Sequence, residues 1–234
     1  MQQYKIKISI LSTRALNDTL LTKAAEKNIY IDAIPFIKTE TVLTPEIHDR
    51  IQILATQKKV AIFTSMNAVE AVNRHLKQKP DWTIYCMGGV TKDAVYDIFG
   101  KHSVTGTAKT ATSLAEKIVD DKAVNDVVFF CGDQRLDDLS ETLISNKIKV
   151  EELVVYNTIQ TPQSIEKNYN AVLFFSPSAV HSFFSENTIA INVKLFSIGK
   201  TTTATIQTYC TNPVITSEWP GKDQMIELVM KHFG

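Results

Sequence analysis

Two stretches of the chain carry small hydroxyl residues and glycines at the same internal spacing. Ser65 precedes Gly88 by 23 residues, and Ser176 precedes Gly199 by 23 residues. In each stretch an apolar run ends in a hydroxyl cluster and opens a helical pattern, and a second apolar run then ends in glycine. The start of a helix presents unpaired backbone N–H groups and the positive end of the helix dipole. The chemistry expected of this repeat is the binding of carboxylates or phosphates.

Two kinds of residue are expected at these helix starts. The polar ones place a hydroxyl or an amide beside the free N–H groups, and the glycines let the backbone approach a ligand closely. The candidates for anion binding are Ser65, Asn67, Thr91, Ser176, Ser178, Thr201 and Thr202, with the glycines Gly88, Gly89 and Gly199. Ser, Thr and Asn are also the preferred N-caps of ordinary helices, so at any single turn plain capping remains an open alternative.

Other catalytic chemistry has little support in the sequence. The five histidines contain no HxxxH pair, and each is expected at the surface. The acidic pairs 137–138 and 151–152 are expected to face solvent. No Ser-His-Asp or Cys-His array is present, and neither glycine motif is a nucleotide fingerprint. We therefore expect catalysis, if present, to be neither nucleophilic nor metal-based.

Composition limits the class of protein. The 234 residues include 25 basic and 25 acidic side chains, so the formal net charge is zero, whereas nucleic-acid binders depend on a basic surface. No apolar run approaches the roughly 20 residues of a membrane span, and residues 1–11 alternate like a strand rather than a signal peptide. Cys86, Cys131 and Cys210 show no zinc-type spacing and are interpreted as small apolar side chains. We expect a cytoplasmic protein without a nucleic-acid or membrane partner.

The elements that must position the candidate residues follow an alternating pattern. Strand-like runs such as 5–11 and 126–132 alternate with helical runs such as 14–28 and 221–233, which is typical of βαβ units with parallel sheets. Residues 28–40 align with 147–159, so the two halves of the chain look like duplicated units.

Two long extended segments, 29–40 and 149–160, occupy equivalent places in the two halves. Neither contains a compact turn, so we expect them to pair as a two-stranded linker, which means that the domains are not the sequence halves. The predicted organisation is a composite α/β domain of 1–35 and 162–234, an inserted α/β domain of 41–150, and linker strands at 36–40 and 151–161.

Eight short motifs follow one another along nearly the whole chain. They are Ser12-Thr13-Arg14, Ile34-Pro35-Phe36, Phe63-Thr64-Ser65-x-Asn67, Gly88-x-x-Thr91, Gly132-x-x-Arg135, Val155-Tyr156-x-Thr158, Phe175-Ser176-Pro177-Ser178 and Ile198-Gly199-Lys200-Thr201-Thr202. Their joint order and spacing resemble the uroporphyrinogen-III synthase family. The chain departs from the family pattern with Lys200 in place of a usual proline, Thr203 in place of alanine and Ala15 in place of proline.

The resemblance implies two flavodoxin-like, parallel-sheet α/β domains joined by a two-stranded β linker, with an active-site cleft between them. The implied substrate is hydroxymethylbilane, a linear tetrapyrrole with eight carboxylates, made in haem biosynthesis. The implied reaction is loss of water and ring closure with inversion of the terminal pyrrole ring, by a lyase without cofactor or metal. The resemblance also allows a transient hand-over of substrate from hydroxymethylbilane synthase.

The resemblance further implies roles for single residues. Tyr156 matches a cleft-facing tyrosine and is the candidate acid that helps the hydroxyl leave, because a phenol with a pKa of about 10 donates a proton without being charged. Thr202, together with Thr201, would orient the substrate. The remaining implied substrate contacts are Arg14, suited to a bidentate carboxylate pair, Thr64 and Lys200. A linker tyrosine packed on a domain and a surface arginine remain structural alternatives.

Two other classes of function fit the same turns. A two-lobed binding or sensor protein for an anionic small molecule would need no catalytic acid. A phosphosugar or nucleotide enzyme of the doubly wound class is the weaker alternative, and its ligands would raise the protein's thermal stability. Because no exposed apolar stripe stands out in the sequence, we expect a monomer.

Overall fold

The computed structural model describes residues 7–219 and 221–234. The chain divides into two compact units. Unit 1 combines the chain up to Lys38 with Ile159–Gly234, and unit 2 is the continuous segment Thr39–Thr158. The first residues of the predicted strand 5–11 lie outside the described ranges.

The described part of the chain alternates strands and helices almost throughout. In chain order the elements are β1 (Ile8–Ser12), α1 (Asp18–Ala25), β2 (Ile29–Ala33), β3 (Ile37–Thr41), α2 (Pro45–Ala55), β4 (Lys59–Phe63), α3 (Met66–His75), β5 (Trp82–Met87), α4 (Val90–Phe99), β6 (Val104–Ala108), α5 (Ala111–Asp120), β7 (Asp126–Gly132), α6 (Asp138–Ser145), β8 (Lys149–Gln160), β9 (Ala171–Phe174), α7 (Pro177–Phe184), β10 (Lys194–Ser197), α8 (Lys200–Gln207), β11 (Val214–Thr216) and α9 (Lys222–Phe233).

Unit 1 is built on a five-stranded parallel sheet with the order β11-β10-β9-β1-β2. Successive residues of a strand point to opposite faces. Ile10 therefore packs with α1 and α9 on one face, while Leu11 packs with α7 and α8 on the other. Both residues are fully buried, so each face of the sheet is covered by helices.

Unit 2 is built on the six-stranded sheet β3-β8-β7-β4-β5-β6, in which β4 to β8 are mutually parallel. Phe63 and Phe130 stack at a ring distance of 5.2 Å beneath α2, α3 and α4. Ile62 and Phe129 point the other way, toward α5 and α6. Each fully buried side chain of this size contributes about 1.5–3 kcal/mol of transfer free energy.

The borders between the units fall inside β3 and β8, which are neighbours in one sheet. Val42 N donates to Val155 O at 2.9 Å, and Thr161 N donates to Phe36 O at 2.9 Å. The residue numbers of each pair rise on one strand as they fall on the other, so β3 and β8 run antiparallel. The predicted fold class, with two parallel sheets and a two-stranded connection, is confirmed.

Two local predictions were wrong in extent. The helix predicted to begin at 14 begins at Asp18, because Asn17 Oδ1 accepts a hydrogen bond from Leu20 N at 2.9 Å and caps it there. The Ser12 hydroxyl donates to Arg14 O at 2.7 Å, which keeps this segment in a loop. The short strands β6 and β11 were not predicted; Gly106 interrupts the apolar pattern of β6.

Two predictions of solvent-facing side chains were also wrong. Glu151 accepts hydrogen bonds from Arg50 at 2.5 and 2.6 Å, and Glu152 pairs with Arg135. Both glutamates lie on β8, the second strand of its sheet, and their ion pairs leave the side chains only 32% and 26% exposed. His75 is only 3% exposed, and its Nε2 lies 2.8 Å from Val42 O.

The three cysteines are unpaired, and two of them are buried. Burial raises the pKa of Cys86 and of Cys131 to about 11, so both remain protonated thiols near neutral pH. Their interpretation as small apolar side chains is confirmed. None of the helices in the described ranges has the length and apolar content that a bilayer crossing needs.

Candidate functional site

The candidate residues lie at one edge of each parallel sheet. In unit 2 they follow the carboxyl ends of β4 and β5, and in unit 1 those of β1, β9 and β10. Ligands of open α/β sheets bind at this edge, beyond the carboxyl ends of the strands. Tyr156 stands apart from the turns, because it lies within β8.

The two serine turns are satisfied by their own hydroxyl groups. Ser65 Oγ accepts a hydrogen bond from Asn67 N at 3.2 Å and caps α3. Ser176 Oγ accepts one from Ala179 N at 3.1 Å and caps α7. Both serines therefore cap their helices, and the other N–H groups of each first turn remain available to a ligand.

The glycine turns leave more donors free. Helix α4 is preceded by Gly89 and α8 by Gly199, and neither glycine provides a side-chain cap. The first helical bonds are Asp93 N to Gly89 O at 3.1 Å and Thr203 N to Gly199 O at 3.0 Å. The three preceding N–H groups of each helix have no acceptor among the residues described. Each repeat therefore pairs one capped turn with one uncapped turn.

Space above the glycine turns is open. A Cβ atom added at Gly89 or at Gly199 would meet no heavy atom within 4 Å. Gly89 has a φ of +67°, a conformation that favours glycine, whereas Gly88 donates its N–H to Ala108 O at 2.9 Å and is not a free donor. Thr91 is buried in the first turn of α4. Gly89, rather than Gly88, is thus the residue that opens this turn.

Hydroxyl groups brace the start of α8. Thr203 Oγ1 lies 2.5 Å from Ser197 Oγ and 2.7 Å from Thr216 Oγ1, and it donates to Gly199 O at 3.3 Å. These contacts tie the α8 turn to β10 and β11. Thr202 is buried beside this turn, while Lys200 and Thr201 are exposed. Thr203 therefore has a structural role, which the sequence did not indicate.

Tyr156 is positioned by an irregularity in the sheet. The pairing of β7 with β8 shifts between Cys131 and Gly132, so that Gly132 faces Tyr156. A Cβ atom added at Gly132 would lie 2.6 Å from Cε2 of the tyrosine ring and 2.7 Å from its hydroxyl. Only glycine leaves room for the ring here, which explains the glycine of the Gly132-x-x-Arg135 motif.

The environment of Tyr156 keeps its phenol protonated. Burial is the main cause that raises the pKa of Tyr156, and a hydrogen bond with Ser65 partly opposes it. The nearby ionisable groups Cys131 and Asp133 add to the increase. The half-buried phenol is therefore a neutral proton donor at physiological pH.

A groove of about 370 Å³ within unit 2 brings Tyr156 and Asn67 together. Its other lining residues are Thr39, Glu40, Thr41, Leu43, Glu70 and Arg74. Leu43 is an exposed large apolar side chain, and Arg74 supplies a cation. The groove thus combines a proton donor, an amide and an apolar surface with one cation, Arg74, and two carboxylates, Glu40 and Glu70.

Arg14 is presented by a rigid loop at the carboxyl end of β1. Thr13 anchors this loop, because its N and its Oγ1 both donate to Leu173 O, at 3.0 and 2.9 Å. Arg14 as a whole residue is exposed, yet burial of its guanidinium lowers its pKa. Ser178 lies half-buried in the first turn of α7, and Thr64 just before the cap of α3. Within the described ranges no three His, Cys, Asp or Glu side chains cluster as metal ligands would.

Comparison with known proteins places these features in a family. Residues 18–227 match the family model described as uroporphyrinogen-III synthase HemD. Among solved structures, the uroporphyrinogen-III synthetase of Helicobacter pylori is similar with a TM-score of 0.69 at 16% identity, covering 96% of this chain and 99% of that one. A mutant of the uroporphyrinogen III synthase of Thermus thermophilus is similar with a TM-score of 0.67 at 14% identity, covering 96% of this chain and 97% of that one. No curated protein sequence matches significantly.

The family match covers far more than half of the chain, and the two solved structures share its fold over nearly its full length. Seven of the eight motifs lie inside the matched region, and Ser12-Thr13-Arg14 precedes it. This chain belongs to the uroporphyrinogen-III synthase family.

Proposed function

We propose that this member of the family closes hydroxymethylbilane to uroporphyrinogen III as a cofactor-independent lyase, with Tyr156 as the acid that protonates the departing hydroxyl. Family membership supports the synthase activity. The observation that supports the assignment to Tyr156 is its half-buried, protonated phenol, which lies beside Ser65 and lines the groove.

Binding of the substrate relies on backbone donors. Eight carboxylates need many hydrogen-bond donors, and the uncapped starts of α4 and α8 offer N–H groups with a positive dipole end. Arg14 and Lys200 add positive charge in unit 1, and Thr64, Ser178 and Thr201 add hydroxyl donors. Thr202, buried beside the α8 turn, orients the substrate there. Backbone donors keep their geometry at little entropic cost, which suits an enzyme whose main task is positioning.

The acid step uses a short chain of hydrogen bonds. Ser65 Oγ accepts the N–H of Asn67, so its own O–H is available to the oxygen of Tyr156. The phenol proton is then free to point into the groove, toward the substrate. Transfer of this proton to the hydroxyl lets it leave as water, and the pyrrole nitrogen stabilises the cation that remains.

Ring closure follows without further help from a charged side chain. The terminal ring attacks the cation through its substituted carbon and gives a spiro intermediate. This intermediate fragments and recloses with the terminal ring inverted, and the ring proton lost at the end restores the phenol. Hydroxymethylbilane also closes unaided to isomer I, so the protein's contribution is to bring the correct carbons together.

The test is product analysis. The protein is incubated with enzymatically made hydroxymethylbilane, the products are oxidised, and isomers I and III are separated chromatographically. We expect isomer III to dominate in proportion to the protein added. Isomer I alone at every protein concentration would remove the synthase activity from this chain.

The chemistry of the substrate and the unpaired cysteines bear on where the reaction takes place. A substrate that closes unaided favours rapid hand-over from hydroxymethylbilane synthase, and the unpaired cysteines fit a cytoplasmic location. The alternative of a binding or sensor protein is not favoured by any feature of the site. Tight binding of the tetrapyrrole without turnover would be the result that supports a binding or sensor protein.

A further inference from the structure

Helices α1 and α9 begin side by side. Both follow strands of the five-stranded parallel sheet, and both pack on the face that contains Ile10. Lys23 Nζ lies 3.3 Å from Glu227 Oε1, and each of these residues is the sixth of its helix. The two helices are therefore parallel and in register, so their starts meet at the carboxyl edge of the sheet.

This register brings two cations together. Arg14 lies in the loop before α1, and Lys222 is the first residue of α9. Burial is the main cause that lowers the pKa of Lys222, and the charge of Arg14 lowers it further, while Asp223 acts in the opposite direction. Among the residues that the structure describes, no carboxylate forms an ion pair or a hydrogen bond with either cation.

The start of α9 adds free donors to the pair. Its N-cap is Gly221, which provides no side-chain cap, and the first helical bond is Met225 N to Gly221 O at 3.2 Å. Two like charges held together beside a positive helix end are destabilising unless an anion joins them. Asp223, in the same turn, offsets part of this positive charge, and a bound carboxylate would offset the rest.

We propose that Arg14, Lys222 and the uncapped start of α9 form a binding site for one carboxylate of the tetrapyrrole substrate. The identity of this ligand rests on the proposed function. The arginine fork binds both oxygens of a carboxylate, the lysine adds a compact positive charge, and the helix start adds N–H donors. No motif of the sequence pointed to Lys222, because its role depends on the packing of α9 against α1.

The experiment measures binding of uroporphyrin III, a stable octacarboxylate, by titration calorimetry at low salt. We expect Lys222→Gln to weaken binding about 10-fold, the loss expected for a charge-assisted contact. Lys222→Arg should restore most of the affinity. Lys231→Gln, at the far end of the same helix, is the control and should bind like the wild type. The difference between Lys222→Gln and the wild type should shrink at high salt, because screening weakens exposed charge pairs.

A purely structural role of Lys222 would give a different result. The charged lysine is disfavoured in the folded protein, so Lys222→Gln should leave the melting temperature of the free protein unchanged or raise it. A lower melting temperature for both Lys222 variants, or equal uroporphyrin affinity for Lys222→Gln and Lys231→Gln, would overturn the proposal. Product analysis of the wild type keeps the two proposals apart. If isomer III forms but binding does not depend on Lys222, only the carboxylate site is excluded. If binding depends on Lys222 but only isomer I forms, only the synthase activity is excluded.

Discussion

At the residue scale, Tyr156 combines a proton with a fixed position. Its phenol stays protonated because burial raises its pKa, and its ring is seated on Gly132 within the sheet. Ser65, a candidate anion-binding residue in the sequence, caps α3 and interacts with the phenol. The two residues lie far apart in the sequence, so no local pattern could reveal this pairing.

We predict that Tyr156→Phe lowers the rate of isomer III formation about 100-fold, the lower end of what a general acid contributes. The phenyl ring fills the same space above Gly132, so the free energy of unfolding should change little. Single-turnover kinetics and urea unfolding measure the two effects. Tyr30→Phe, on the edge strand β2, is the control and should be fully active. Full activity of the Tyr156 variant would exclude the phenol from the acid step.

Gly132→Ala tests the position of the ring rather than its hydroxyl. The added methyl group would lie 2.7 Å from the Tyr156 hydroxyl, so the ring must move out of its seat. We expect a loss of turnover close to that of Tyr156→Phe, although the phenol is still present. Gly88→Ala serves as a stability comparison, since its Cβ would meet only Ala108 O, at 3.6 Å. Wild-type turnover in Gly132→Ala would show that the seat of the ring does not matter.

At the element scale, the two turns of each repeat differ in whether a side chain caps the helix. In both units the turn with serine is capped and the turn with glycine is not. A glycine directly before a helix start was the available signal, and the sequence contained it at Gly89 and Gly199. By contrast, the pairing of Arg14 with Lys222 depends on the register of two distant helices, which periodicity alone does not fix.

The glutamates of β8 allow a matched stability test. Glu152 pairs with Arg135 and accepts a hydrogen bond from Ser140 at 2.5 Å, with both charged side chains about one quarter exposed. We expect Glu152→Gln to cost about 1–3 kcal/mol, because the partly buried Arg135 loses its charged partner. Glu151→Gln is the comparison on the opposite face. Its pair with Arg50 is more exposed and should matter less.

The effect of Glu152 should depend on pH with a definite sign. Hydrogen bonding from Arg135 is the main cause that lowers the pKa of Glu152. Its contribution is therefore complete above the unfolded pKa of about 4.3 and is lost as the pH falls through the lower folded value. Urea unfolding should separate the variant from the wild type at neutral pH and bring the two curves together in acid. A constant difference across this range would contradict the assignment of the pair.

At the scale of the whole molecule, each unit has its own sheet and its own apolar clusters on both faces. The sequence predicted this organisation because strand and helix periods alternate regularly and the two halves repeat. It did not fix the exact borders, because β3 and β8 each pass from one unit into the other and look like ordinary strands.

We predict that a fragment of residues 39–158 folds alone, since it contains the complete clusters beneath and above its sheet. The buried Trp82 provides the measurement. The fluorescence emission of Trp82, and the cooperative change of that emission in urea, should match those of the full chain carrying Trp219→Phe. That substitution leaves Trp82 as the remaining tryptophan of the two. Emission typical of an exposed indole in the fragment would show that unit 2 depends on unit 1.

The insertion of unit 2 between two pieces of unit 1 has a consequence for protein synthesis. All of unit 2 is synthesised before β9, the strand that lies between β1 and β10 in the sheet. Domains fold as units during translation. Unit 2 can therefore fold while β1 and β2 still lack their neighbouring strand β9. The sheet face that contains Ile10 then also lacks its covering helix α9. A nascent chain from which residues up to 158 have emerged, with β9 still inside the ribosome, would hold one folded domain and one incomplete β1-α1-β2 unit, the species on which chaperones should act.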